Sequence, residues 1–182
     1  VKDAYFEFDE GQDTIIKATG ATGEAAAELT KNMGNVARRI NGDFSTIGSA
    51  IGEVNTRFGF TGEELENATE QFLKFSEITG VDATGAVQSI SKAMYNAGID
   101  TSKYSELLDE IAVAAQASGI SADKLADNLT KYGTQTRAAG LNTKESIALF
   151  AQFEKSGVNA EAALGGLKTA IKSWSDEGKN SR

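Results

Sequence analysis

Gly119-Ile120-Ser121 is one of six tripeptides in which a glycine precedes an apolar residue and then a residue able to cap a helix. The others are Gly59-Phe60-Thr61, Gly80-Val81-Asp82, Gly98-Ile99-Asp100, Gly140-Leu141-Asn142 and Gly157-Val158-Asn159, with Gly20-Ala21-Thr22 as a weaker seventh. Glycine adopts the left-handed conformation that ends a helix, and the apolar residue after it packs back onto that helix. The third residue accepts a hydrogen bond from a free amide of the next helix. Each tripeptide therefore predicts the end of one helix and the start of another.

Apolar residues between these tripeptides recur every three or four positions, which is the period of an amphipathic helix. Two such stripes are Phe44, Ile47, Ile51, Val54 and Phe58, and, near the end, Leu164, Leu167, Ile171 and Trp174. The chain also contains no proline, a residue that interrupts helices. The sequence therefore predicts an all-α fold of about eight to nine helices of roughly 13–18 residues, joined by short turns. The spacing fits a compact multi-helix bundle and a helical-repeat-like array equally well.

The first residues of the chain allow two interpretations. The alternation in Tyr5-Phe6-Glu7-Phe8 is that of a short strand. A helix is the preferred prediction, because a strand would need a partner strand and none is in sight. The residues on the face of that helix would be Ala4, Phe8, Gly11 and Ile15.

We expect residues 1–182 to form a single helical domain. Residues 1–60 would hold the N-terminal helices, residues 61–176 a regular series of helical hairpins, and residues 177–182 a polar tail. The chain begins at Val1 and ends in an uncapped polar sequence. We therefore expect it to be a piece of a longer protein.

Composition excludes several kinds of chemistry. The chain has no cysteine and no histidine, so disulfides, thiolate sites, imidazole–metal sites and histidine-based catalysis are impossible. The net charge of −8 argues against a nucleic-acid-binding surface. No run of about 18 apolar residues is present to span a membrane. We expect no catalytic residue, no cofactor-binding residue, no cofactor and no metal ligand.

Clustered carboxylates are the remaining candidates for enzymatic chemistry. The clusters are Glu63 with Glu64 and Glu66, Asp109 with Glu110, and Asp176 with Glu177. A glycosidase would need two carboxylates across a cleft. Acidic residues in the first turn of a helix instead stabilise the helix dipole, which is the preferred interpretation of the Glu63 cluster. Thr61 and Glu64 also have the spacing of a capping box.

Two further stretches have both a structural and a functional interpretation. Residues 9–13, Asp-Glu-Gly-Gln-Asp, resemble a calcium loop but lack its alternating ligands and closing glutamate, so a solvated acidic turn is the preferred prediction. Gly48 and Gly52 are spaced as in a small-xxx-small motif. Because their surroundings are not apolar enough for a membrane, we expect a tight crossing of two helices within the protein.

Several of these stretches resemble the front part of tail tape measure proteins, the minor tail proteins of long-tailed phages and prophages, especially those of Gram-positive hosts. The resemblance is carried by residues 48–65 (GSAIGEVNTRFGFTGEEL), by Gln71–Phe75 and Thr79–Asp82, and by Gln116–Ser121 and Ala138–Asn142. It covers roughly residues 10–172, and its motifs are diffuse but occur in a distinctive order.

The resemblance implies a structural role in tail assembly and in setting tail length. The implied partners are the tail tube protein, tail assembly chaperones and tail tip proteins, and the implied location is the virion tail, with the host cytoplasm during assembly. The family has no shared catalytic residues, so the resemblance implies no enzyme. The alternative is an α-helical protein-interaction or secreted effector module without catalytic activity. In a fragment, the apolar stripe of residues 160–175 would also lack its native partner and would mediate self-association.

The tripeptide pattern limits what this stretch would contribute to a molecular ruler. A continuous helix of this length would span about 270 Å, at about 1.5 Å per residue. Turns closed by glycine every ~20 residues prevent such a helix. We therefore expect a folded domain, with the ruler elsewhere in the parent chain.

Overall fold

The computed structural model describes residues 2–166 together with residues 169 and 173, and within them the fold is all-α. Its α-helices are α1 (Lys2–Thr19), α2 (Gly23–Arg39), α3 (Phe44–Phe58), α4 (Gly62–Thr79), α5 (Ala83–Ala97), α6 (Tyr104–Ser118), α7 (Ala122–Ala138) and α8 (Thr143–Ser156). A short 3₁₀ turn precedes α6, and residues 160–166 are also helical. The helical interpretation of the start is confirmed, since Tyr5–Phe8 lies inside α1.

The glycine tripeptides end the helices as predicted. All six glycines have positive φ, and so does Gly20. Four of them, Gly59, Gly80, Gly119 and Gly157, are the left-handed residues directly after α3, α4, α6 and α8. After α7, the amide of Leu141 donates to the Thr136 carbonyl at 3.1 Å, which is the backbone bond typical of a glycine-closed helix end.

The helix starts differ in how they are capped. Asn142 and Glu145 form a complete capping box at α8, and Asp43 caps α3 by accepting from the Thr46 amide at 2.8 Å. That bond holds the pKa of Asp43 below its ordinary value of 3.8. The capping box predicted at Thr61 is wrong, because the Thr61 side chain makes no capping bond. Gly62 follows it at φ +55°, so the chain enters α4 through a left-handed residue that separates Thr61 from the first-turn amides.

The chain divides into two compact units inside α5, between Ser91 and Lys92. Unit 1 contains α1 to α4 and the first part of α5. Unit 2 contains the rest of α5, α6 to α8 and the helical residues 160–166. The single domain over residues 1–182 stays a prediction. The terminal apolar stripe beyond Leu164, the pair Asp176–Glu177 and the tail 177–182 lie outside the described residues.

Unit 1 is organised around α3, against which α1, α2 and α4 all pack. Residues on several sides of α3 are buried, namely Ile47, Gly48, Ala50, Ile51, Gly52 and Val54. The crossing of α1 and α3 is as tight as the glycine spacing predicted. A Cβ atom on Gly48 would lie 2.6 Å from the carbonyl oxygen of Gly11, and one on Gly52 would lie 2.8 Å from the Ala18 Cβ.

The same crossing corrects the interpretation of residues 9–13. They lie inside α1 and do not form an acidic turn. Gly11 is buried, and a Cβ there would lie 2.7 Å from the Phe44 carbonyl oxygen. The glycine that suggested a calcium loop is therefore required by helix packing.

Unit 2 is built on mutual contacts between α6, α7 and α8. Its buried side chains include Met94, Leu107, Ile111, Leu125, Leu129, Ile147 and Phe150. Three polar contacts fix the end of α5 to α7. Asn96 Nδ2 donates to the Thr130 carbonyl at 3.4 Å, Thr134 Oγ1 donates to the Asn96 carbonyl at 2.7 Å, and Arg137 donates to the Gly98 carbonyl at 3.0 Å. The bonds from Thr134 and Arg137 satisfy carbonyl groups that the end of α5 leaves free.

We expect Gly48→Ala to destabilise unit 1 by about 1–3 kcal/mol, because the added methyl group would strike backbone atoms of α1. Gly34→Ala is the matched control. A Cβ there would meet only the Phe8 ring edge at 3.8 Å, so alanine should be neutral or stabilise α2 by up to about 1 kcal/mol. Urea unfolding followed by circular dichroism measures both changes. Equal stability of the two variants would contradict the tight crossing.

Candidate functional site

The Glu63 cluster does not form a catalytic site in the structure. Glu63 and Glu64 are exposed in the first turn of α4, as the helix-dipole interpretation requires. Glu66 is 5% exposed and is turned toward α2. The three carboxylates therefore do not converge on a cleft, and the third has a different role from the first two.

Glu66 is the centre of a polar cluster between α2 and α4, made of Asn35, Arg39, Glu66, Asn67 and Glu70. Asn35 Nδ2 donates to Glu66 Oε1 at 2.6 Å, and Arg39 Nη2 donates to Glu66 Oε2 at 2.8 Å. Arg39 Nη1 also donates to Asn67 at 3.2 Å and lies 4.0 Å from a Glu70 oxygen. Both oxygens of the buried carboxylate are therefore satisfied. We refer to this group as the α2–α4 cluster.

The α2–α4 cluster could not be predicted from the sequence, because its partners are far apart in the chain. A signal was present on α2, where Asn32, Asn35 and Arg39 place polar groups at helical spacing beside the apolar stripe. Asn32 is 3% exposed, and its Nδ2 has no hydrogen-bond partner among the described residues. A polar stripe on a buried helix face predicts a polar contact with a neighbouring helix, but it does not identify the neighbour.

Unit 2 has a second polar contact, between α7 and α8. Lys124 Nζ lies 2.7 Å from Glu154 Oε2, and Asn128 Nδ2 donates to Glu154 Oε1 at 2.9 Å. The bonds from Lys124 and then from Asn128 hold the pKa of Glu154 below its ordinary value. Both polar contacts join helices within a unit, which is a structural use of carboxylates.

A groove runs between α6 and α8, and we refer to it as the α6–α8 groove. It has a mixed part of about 430 Å³ and an apolar part of about 350 Å³, which share Glu110 and Lys144. Charged side chains of the mixed part are Lys103, Glu106, Glu110 and Lys144. The apolar part is lined by Val113, Ala114, Ile147 and Ala148, with Asp109 and Glu110 at its edge.

Glu110 is the titratable group most affected by this groove. Its burial, and then the negative charge of Glu106, raise the pKa of the Glu110 carboxyl above its ordinary value of 4.5, whereas Lys144 lowers it. Glu110 and Asp109 are the second predicted carboxylate pair, and the structure places Asp109 on the exposed side of α6. A single partly buried carboxylate without a partner carboxylate across a cleft does not make the acid–base pair of a glycosidase.

The described residues hold no cluster of three or more acidic side chains arranged for a metal ion. None of their helices combines the length and the apolar character that crossing a membrane requires. What the arrangement can do chemically is to join helices through ion pairs and to present a groove with one part of mixed charge and one apolar part.

We expect Arg39→Ala to cost about 2 kcal/mol of folding stability, because it leaves the buried Glu66 carboxylate with an unsatisfied oxygen. Arg57→Ala is the matched control. Arg57 is similarly exposed, 47% against 41% for the Arg39 side chain, but its partner Glu53 lies one turn away in the same helix and is more accessible than Glu66, 16% against 6%. That change should cost no more than about 0.5 kcal/mol.

A double variant separates the buried charge from a general packing defect at Arg39. Replacing the pair together, Arg39→Met with Glu66→Leu, should recover most of the stability that Arg39→Ala loses, because no charge then stays buried. Chemical unfolding measures all three variants. A double variant less stable than Arg39→Ala would show that the pair stabilises the fold by itself.

We expect Glu110→Gln to raise the melting temperature at pH 7 and to leave it unchanged below pH 4.5, the ordinary value for glutamate. A raised folded-state pKa means that folding binds the proton more tightly, so stability falls as pH rises through that pKa. Glutamine cannot ionise, so the variant avoids this loss of stability at neutral pH. At low pH the glutamate is protonated and uncharged, so the two proteins should be equally stable. Asp109→Asn, on the neighbouring exposed residue, is the control. If Glu110→Gln changed the melting temperature equally at every pH, the result would contradict a raised pKa of Glu110 in the folded protein.

The family model for phage-related minor tail proteins matches residues 34–182, from the middle of α2 onward. No curated protein and no solved structure matches the chain. The family match spans most of the 182 residues and includes all six glycine tripeptides. The chain belongs to the family of phage-related minor tail proteins.

Proposed function

We propose that this chain is a folded domain of a tail tape measure protein and acts in tail assembly and length determination. The observation that carries the proposal is the series of left-handed glycines at helix ends within the segment matched by the family. They give a tail protein a stretch that repeatedly changes direction. A molecular ruler instead needs an extended segment, whose end-to-end length increases with every added residue.

Helix length supports a folded role over a measuring role. The longest helices, α1 and α4, have 18 residues each and so span only about 27 Å. The tight α1–α3 crossing and the α2–α4 cluster stabilise the folded arrangement of unit 1 through contacts that an extended chain cannot make. We therefore propose that the measuring segment lies elsewhere in the tape measure protein.

We propose a non-enzymatic role for the domain. In the first candidate cluster of carboxylates, Glu66 pairs with Arg39, and Glu63 and Glu64 occupy a first helical turn. In the second, Asp109 lies on the exposed side of α6, so Glu110 has no carboxylate facing it across a cleft. We propose that both units act as a single helical domain. Its partners would be the tail tube protein, tail assembly chaperones and tail tip proteins, first in the host cytoplasm and then in the virion tail.

An insertion experiment in a phage that carries this stretch tests the proposal. We expect a helical insert of 20 residues in the turn between α1 and α2 to leave tail length unchanged, since the turn of a folded domain does not contribute to a ruler. The same insert in a continuous helical stretch of the tape measure protein, outside residues 1–182, is the control and should lengthen the tail by about 30 Å. Electron microscopy of purified tails measures both.

Two results would contradict the proposal. A tail lengthened by about 30 Å when the insert lies between α1 and α2 would make this stretch part of the ruler. Absence of the chain from purified tails, together with no binding to tail tube or chaperone proteins, would favour the helical interaction or effector module. The two outcomes are distinguishable, because the first requires that the protein is in the tail.

A further inference from the structure

The connection between α2 and α3 contains an asparagine that is followed directly by a glycine. Asn41 and Gly42 are both exposed, and they lie in the segment 40–43, outside the helices. This dipeptide occurs once in the 182 residues. Gly42 has no side chain to crowd its backbone nitrogen, and glycine has the widest choice of backbone conformations. The Gly42 nitrogen can therefore reach the side-chain amide carbon of Asn41.

Hydrogen bonds do not hold these two groups apart. The amide just before them is engaged, because Ile40 donates to the Val36 carbonyl at 3.1 Å and so closes α2. Among the described residues, neither the Gly42 amide nor the Asn41 side chain has a hydrogen-bond partner. Both reacting groups are therefore free to approach each other.

The other described asparagines are protected from the same reaction. Most lie inside helices, where the amide that follows is bonded to a carbonyl in the preceding turn: Asn32, Asn35, Asn55, Asn67, Asn96 and Asn128. Asn142 and Asn159 lie at helix starts, where each side-chain oxygen accepts from a backbone amide at 2.9 Å. Each of these asparagines is also followed by a residue that has a side chain. The fold therefore leaves Asn41 as the exposed and unprotected one.

We infer that Asn41 is a self-modification site, at which the Gly42 nitrogen converts the asparagine to aspartate and iso-aspartate. A bond forms between that nitrogen and Cγ of Asn41. The Cγ–Nδ2 bond breaks, and the proton of the Gly42 amide leaves with Nδ2 as ammonia. Water then opens the cyclic imide. Breaking the new bond to Cγ gives aspartate, and breaking the bond to the backbone carbonyl carbon gives iso-aspartate.

Iso-aspartate changes unit 1 because its main chain is one carbon atom longer. The segment 40–43 is fixed at both ends, by the Ile40 bond that closes α2 and by the Asp43 side chain, which accepts from the Thr46 amide at 2.8 Å. The added atom must be accommodated between those two bonds. It therefore weakens the cap of α3, the helix against which α1, α2 and α4 pack. The stability of unit 1 falls as the protein ages, whatever the role of the chain in the tail.

Peptide mapping of the full chain, after incubation at mildly alkaline pH, tests the reaction. Trypsin releases residues 40–57 as one peptide, which contains both Asn41 and Asn55. Asn55 is the internal control, because it lies in α3 and its side chain donates a hydrogen bond. We expect the mass change from amide to carboxyl at Asn41 and not at Asn55. An isoaspartyl methyltransferase should label the same peptide, and an unincubated sample corrects for conversion during digestion.

Two variants test the residues that carry the inference. Gly42→Ala should slow the conversion several-fold, since the added Cβ crowds the attacking nitrogen and narrows its choice of φ. A Cβ there would lie 3.5 Å from Ile47 Cδ1, which is an ordinary contact, so the fold should be kept. Asn41→Gln moves the side-chain amide one carbon further from the chain and should abolish conversion at this position.

Asn41→Asp separates the effect of the charge from that of the longer main chain. Its carboxylate lies after the end of α2, where it is unfavourable, and before the start of α3, where it is favourable, so the melting temperature should change little. Anion exchange separates the charged forms of the incubated protein, and circular dichroism measures their melting. We expect the iso-aspartate form to melt below both Asn41→Asp and the unmodified chain.

Three results would overturn the inference. Conversion at Asn55 as fast as at Asn41 would show that the fold protects neither. Equal rates in Gly42→Ala and the unchanged chain would show that the Gly42 nitrogen is not the attacking group. An iso-aspartate form that melts at the same temperature as Asn41→Asp would show that the longer main chain leaves unit 1 intact.

Discussion

The left-handed glycine at the end of a helix is the constraint on which the rest of this structure depends. A residue with a side chain would be strained at φ near +70°, so glycine fixes where α3, α4, α6 and α8 stop. Once the stops are fixed, each helix is 14–18 residues long and has one apolar face to bury. Packing against neighbouring helices then follows, because an isolated helix of this length is marginal in water.

Most of the fold could be predicted from the sequence because this constraint is local. Positive φ, apolar spacing and the Asn142–Glu145 capping box each involve residues within one or two turns of one another. The wrong prediction of a capping box at Thr61 also has a local cause. The spacing to Glu64 was suitable, but Gly62 takes a left-handed conformation and the geometry of a capping box requires a helical one. A glycine directly after a candidate cap residue therefore weakens that prediction.

The polar contacts could not be predicted, because they join residues that are distant in sequence. Glu66 looked like its neighbours Glu63 and Glu64, yet it alone is buried, 27 residues away in sequence from the Arg39 that neutralises it. Burial decides the role of a carboxylate here, and burial depends on which helix lies opposite. The α6–α8 groove has the same origin, since Glu110 and Lys144 share a surface only after α6 and α8 have packed.

A protein of a tail family that folds back on itself must hold that fold against extension, and the two units show how. Unit 1 uses close backbone contact at Gly11 and Gly48, which leaves no room for a Cβ atom without a shift, and an ion pair whose carboxylate is buried and would be costly to leave unpaired. In unit 2, hydrogen bonds join α7 to the end of α5, where Arg137 and Thr134 donate to carbonyl groups that would otherwise be free. Helix spacing alone would give a set of helices that slide past one another. The glycine contact and the side-chain bonds fix their positions, and a groove with a defined charged and apolar part can form only on helices whose positions are fixed.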